Sequence, residues 1–221
     1  MLQEIQKIER NIKDRREIDV PLMNWWLYLL VNGLTGGIYG IVKRNTRVRE
    51  FAIRKYDYYQ NVITYTEKLA QEINRYDEVR NELNDLKTDV DAAFRKNMQL
   101  RKCTTMNGLM LTIVTVGIFL YVWFFRLNKF WYDAQKIEQD FDDKLSQIWL
   151  KLGLIKYPLN FSLDASKNRN FWMQLLLSIV TVGVWILIWD YKIHTDPDNL
   201  YKEFHAIEDS VLQTVRQGIS K

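Results

Sequence analysis

Asp, Glu, Lys, Arg and His are all missing from three stretches of this 221-residue chain, residues 21–42, 104–125 and 171–189. A helix needs about 20 apolar residues to cross a hydrocarbon layer of roughly 30 Å, so the three runs predict three membrane elements. Cysteine is nearly absent. The single Cys103 excludes an internal disulfide framework and a Cys-based zinc site, leaving only a thiol open to S-acylation beside the second run. There is no phosphate loop, dinucleotide glycine motif, nucleophile elbow or paired-histidine metal helix. His194 and His205 stand 11 residues apart, which is not ligand spacing. No catalytic, cofactor-binding or metal-ligating residue is nominated, no cofactor is expected, and the chain reads as non-enzymatic. Its net charge of +4 is spread along the sequence. That balance suits anionic headgroups and argues against a nucleic-acid partner.

What the apolar runs do contain is a repeat. Residues 113–117 and 179–183 both read IVTVG, and residues 34–40 read LTGGIYG. The copies align on Thr35 and Gly37, Thr115 and Gly117, and Thr181 and Gly183, each followed by Ile or Val and an aromatic residue. Glycine lets helices approach closely and Thr bonds to backbone carbonyls, so these residues, with Gly33 and Gly40 of the first copy, are candidate packing or turn positions. Run length predicts three spanning helices. The alternative is that each run turns at its Thr-x-Gly into two halves of about ten residues, roughly 15 Å each, and returns to the same face. Trp25, Trp26, Trp123, Trp172 and Trp189 lie in or at the edges of the runs, as interfacial anchors do. Asp190, bordering the third run, is expected to be hydrated.

The charged segments read as helical. Residues 1–20 carry Leu2, Ile5, Ile8 and Ile12 on one face, an amphipathic helix for a membrane surface, a partner helix or the rest of the chain. From Ile41 to Asn107 there is neither Gly nor Pro. Within it, Leu69, Ile73, Tyr76, Leu83, Leu86 and Val90 recur at helical spacing, the seam of a coiled coil or hairpin over residues 43–103 that turns within residues 74–85. Residues 126–170 form a helical connection and loop. In the tail, 190–221, Asp196 and Pro197 predict the start of a new amphipathic helix.

The fold class expected is all-α, an integral membrane protein with three apolar helical elements, spanning or hairpin, and a long extramembrane helical hairpin. MLTIVTVGIFLYVWFFRLNK and WMQLLLSIVTVGVWILIWDYK resemble small multi-pass bacterial membrane families of unknown function, marked by an apolar run, Thr-x-Gly-Ile-aromatic and a basic end. The first copy departs from that pattern at Lys43 and Arg44. The resemblance implies the bacterial inner membrane and lends no catalytic residues. Two functions follow: an oligomeric membrane scaffold that presents residues 44–102 to itself or to a protein partner, or a homo-oligomeric pore. Membrane lipids are partners in both.

Overall fold

A computed structural model describes residues 1–99 and 118–218 of the chain. These residues form helices α1 (Leu2–Ile18), α2 (Trp25–Leu34), α3 (Ile38–Glu72), α4 (Tyr76–Gln99), α5 (Ile118–Lys151), α6 (Phe171–Val180) and α7 (Val184–Gly218), with a short 3-10 turn at Ala165–Lys167. No strand occurs among the described residues. Thr115, Gly117 and Cys103 lie outside the described residues, as does most of the second apolar run.

The repeat extends into the long helices. Each of α3, α5 and α7 follows a Thr-x-Gly, and all three contribute to the same three apolar zones in the same order. Ile41, Trp123, Phe124, Leu127, Trp189 and Ile193 pack at one end. Phe51, Phe130, Trp131, Leu200 and Phe204 pack in the middle. Val62, Leu69, Phe141, Leu145, Trp149, Val211 and Val215 pack at the far end. The helices are therefore parallel and in register. Phe51 and Trp131, each fourteen residues past its glycine, meet with ring centroids 5.1 Å apart.

Parallel neighbours need return segments. Helix α1 is the first: Glu4 pairs with Lys68 at 2.7 Å near the far end, and Asp19, just past its end, reaches Arg54 at 2.5 Å nearer the middle. Its Ile5, Ile8 and Ile12 are buried against the body. Helix α4 is the second return. The turn before it needs no glycine, because Asn74 takes the left-handed conformation (φ 54°) and the Arg75 N–H donates to the Ala70 carbonyl at 2.8 Å. The turn thus spans Ile73–Arg75, at the edge of the stretch expected. Of the seam, Leu69, Leu83, Leu86 and Val90 are buried, Tyr76 is partly buried, and Ile73 is exposed at the turn. The third return is residues 152–170, which descend beside α5: Leu159 N–H donates to Ser146 Oγ, Asp164 N–H to Gln135 Oε1, and Asn128 Nδ2 to the Lys167 carbonyl.

Two expectations are corrected. Helix α7 does not restart at Pro197 but runs through it. Proline removes one helical N–H, and buried Arg47 braces this turn by donating to the His194 carbonyl (3.3 Å) and Tyr201 Oη (2.9 Å) and pairing with Asp198. More consequentially, no described helix is long and apolar enough to cross a membrane. That overturns the spanning elements and, with them, the placement as an integral protein of the bacterial inner membrane. The physical reason is that runs one and three are each broken at Thr-x-Gly, so a count of some 20 apolar residues sums two antiparallel pieces.

Candidate functional site

The first and third repeats build the same hairpin. A ten-residue helix, α2 or α6, a three-residue link and a 35-residue helix follow one another in each. The local chemistry matches position by position. Asn24 and Asn170 cap the short helices, accepting from the N–H groups of Trp26 and Trp172. Thr35 and Thr181 donate to the carbonyls of Val31 and Leu177, and accept from the N–H groups of Tyr39 and Trp185. Gly37 and Gly183 both lie at φ 88° and donate to carbonyls five residues back, at 2.8 Å. Only glycine adopts that conformation without strain. Thr-x-Gly is thus a reversal in both described copies.

Glycine has a second use at Gly40. A Cβ there would lie 2.2 Å from Tyr28 Oη and 2.6 Å from Asn32 Oδ1, because the two arms touch and the Gly40 N–H donates to Asn32 at 2.8 Å. Gly40→Ala is expected to destabilise the protein by about 1–3 kcal/mol, read as a shift in the denaturant midpoint. Gly33, by contrast, has open space around it and serves no close packing.

The short helices are inside out. In α6 the polar Gln174 and Ser178 are buried, while Trp172, Met173, Leu176, Ile179 and Val180 are exposed. Gln174 accepts from Trp185 Nε1 at 2.9 Å, and Ser178 donates to the carbonyl of Gln174. In α2, Tyr28 is buried and Trp26, Leu27, Leu30 and Leu34 are exposed. Exposure reaches 81% at Leu34 and 93% at Val182, at the tips. An exposed apolar surface of this extent marks an interaction site.

Beneath the tips, a buried ion pair locks the two hairpins together. Arg44 and Asp190 each stand seven residues past their glycine. Arg44 Nη1 donates to Asp190 Oδ1 at 2.7 Å, and the other carboxylate oxygen accepts from Trp25 Nε1 at 2.9 Å. Phe124, seven residues past Gly117, completes the set: the guanidinium lies 5.7 Å from its ring centroid and 4.5 Å from that of Tyr28. His194 Nε2 meets the Met23 carbonyl at 2.8 Å. Burial, with Arg44 nearby, holds that imidazole below its ordinary pKa. Burial likewise pushes the Tyr28 hydroxyl up to about 12. Asp190 is therefore a clamped, buried group, and its expected hydration is corrected.

The tryptophans divide. Trp26 and Trp172 are exposed at 71% and 72%. Trp123 and Trp189 are buried in the hairpin base, where Trp123 Nε1 donates to Asn45; they hold the base together and face no interface. Trp25 is half-buried through its bond to Asp190.

A second buried cluster occupies the body. Arg54 pairs with Asp19 (2.5 Å) and Glu208 (3.0 Å), Lys55 with Glu138 (2.5 Å) and Glu208 (3.1 Å), and Asp19 also meets His205 Nε2 at 2.8 Å. Tyr59 donates to Glu138. Burial pushes Glu138 up, with the charge of Glu208 adding to it. Burial would raise Glu208 too, but Lys55 and Arg54 outweigh it and leave the pKa lowered. No sequence signal links these residues, whose partners lie far along the chain. No metal-binding group of His, Cys, Asp and Glu occurs among the described residues.

No protein-family model, curated protein or solved structure matches this chain.

Proposed function

We propose that the protein is a non-enzymatic scaffold that grips one leaflet of a lipid bilayer through its paired apolar hairpins and presents the helical body in water. The observation that carries this is the inverted burial of α2 and α6, polar groups inward and apolar groups outward, carried around exposed tips. A docked protein helix would cover one side of such a tip, whereas acyl chains surround it. Arms of ten residues are roughly 15 Å long, half of a hydrocarbon layer of roughly 30 Å. Non-helical backbone at that depth needs internal partners, which the Thr35 and Thr181 bonds supply. The alternative of a pore has less support, since no described helix is both long and apolar enough to cross. The body, including the α3–α4 hairpin, is the surface offered to a protein partner or a second copy.

The test is flotation with phosphatidylcholine vesicles. The wild-type chain is expected to float, and Leu34→Asp with Val182→Asp to remain at the bottom with unchanged helicity and melting temperature. Both positions are exposed, so folding is indifferent to them. Wild-type protein that stays down, or a double variant that still floats, would sink the reading. Dimers of the wild type in solution that the double variant abolishes would instead assign the tips to a second copy.

A further inference from the structure

The segment entering α6 and the part of α7 just past Asp190 border an open, polar surface concavity of about 660 Å³, lined by Lys167, Arg169, Tyr191, Lys192, Asp196 and Asp198 among others. It sits where the apolar surface of the second hairpin stops: Arg169 immediately precedes the Asn170 cap, and Lys192 follows Asp190 by two residues. Its charges do not balance. Lys167 pairs with Asp196 at 3.2 Å and Asp164 at 3.5 Å, Arg169 with Asp196 at 2.5 Å, and Asp198 with Arg47. Lys192 is left as the one cation of the concavity without a carboxylate partner among the described residues. Its ammonium instead lies 5.6 Å from the ring centroid of Trp185. The first hairpin has no counterpart. At the positions corresponding to Lys167, Arg169 and Lys192 it carries Pro21, Met23 and Thr46.

We propose that this concavity binds the phosphate of an anionic lipid headgroup, with Lys192 as its principal charge partner and Lys167 and Arg169 flanking it. The inference rests on the one-leaflet reading, because insertion of the adjoining apolar arm brings the headgroup layer to this height. It adds orientation: two hairpins enter the leaflet, and one of them also reads its charge.

Binding is measured against phosphatidylcholine vesicles with and without a minority of phosphatidylglycerol. The wild type is expected to bind the anionic vesicles more tightly, and Lys192→Gln to lose about fivefold on them and nothing on phosphatidylcholine. Lys192→Arg should retain the preference. Lys43, exposed on the first hairpin, is the control: Lys43→Gln should lose clearly less. Equal losses for Lys43→Gln and Lys192→Gln would mean a diffuse field, and equal wild-type binding to both vesicles would mean no headgroup site; either overturns the inference while leaving leaflet contact standing. Failure to bind any vesicle removes the one-leaflet reading and this inference with it. Inorganic phosphate is the last arm. If it alone raises the melting temperature of the free protein, and Lys192→Gln abolishes the rise, the site takes a soluble anion and the lipid source is overturned.

Discussion

Asp190→Ala is expected to destabilise the protein by about 3–5 kcal/mol, because it leaves the Arg44 guanidinium buried without its carboxylate. Both side chains are nearly inaccessible, at 4% and 8%, so water cannot substitute for the missing partner. The loss should be reduced when Arg44→Met is added, since a buried pair replaced on both sides removes the desolvation cost as well as the attraction. Denaturant unfolding of the two single variants and the double variant measures this coupling. Additive losses would mean that the pair does not act as a unit. Because the pair joins the bases of two hairpins, Asp190→Ala should also weaken vesicle binding more than an equally destabilising change at the far end, such as Leu145→Ala.

Asp142→Asn is expected to stabilise the protein, by an amount that depends on pH. Burial, reinforced by the charge of Glu138, pushes the Asp142 carboxyl up to about 9. Lys55 opposes this, while Asp143 and Glu208 add to it. Neither carboxyl oxygen has a hydrogen-bond partner among the described residues, and the nearby Tyr58 hydroxyl also lacks one. The folded-state pKa is raised, so between its ordinary value near 3.8 and about 9 the folded chain holds a proton that the unfolded chain has released. Stability from this group is fully present below the lower value and falls by about 1.4 kcal/mol per pH unit until the upper one is passed. Asparagine carries no such proton. The variant's advantage should be small near pH 4 and grow steadily toward pH 9, measured by denaturant titration at several pH values. A difference independent of pH would contradict the protonated, buried assignment.

How much of this was legible in the sequence depends on the distance over which information had to travel. The Thr-x-Gly reversal is local: a threonine that bonds within its own turn and a glycine at positive φ announce it in five residues. Run length nevertheless favours spanning over that turn, because counting uncharged residues across Thr35–Gly37 and Thr181–Gly183 joins two arms into one apparent span. The inward face of α6 was visible only in part, since Gln174 and Ser178 are four residues apart on one side of a helix whose other sides are apolar. That pattern places the buried side where the polar groups are. Arg44 and Asp190 lie 146 residues apart and look like ordinary flanking charges until the repeat register puts them at the same height. Trp123 and Trp189 illustrate the same limit: an aromatic residue at the edge of an apolar run is equally suited to a lipid interface and to a protein core, and the packing of parallel helices chose the core. The cluster of Arg54, Lys55, Glu138, Asp142 and Glu208 had no local signature. Three helices must assemble before any of its members meets a partner.

Depth in one leaflet is read from the accessibility of a spin label at the hairpin tips. Single cysteines are introduced at Leu34, Val182 and, as a control on the exposed body, Asp209, in a chain with Cys103→Ser. Collisional relaxation by oxygen, which partitions into hydrocarbon, is compared with that by a water-soluble nickel chelate, with and without phosphatidylcholine vesicles. Labels at Leu34 and Val182 are expected to move from chelate-accessible to oxygen-accessible when vesicles are added, while the label at Asp209 remains accessible to the chelate outside sealed vesicles. Tip labels that stay in contact with the chelate in the presence of lipid, or that are shielded equally without it, would mean that the hairpins do not enter the leaflet.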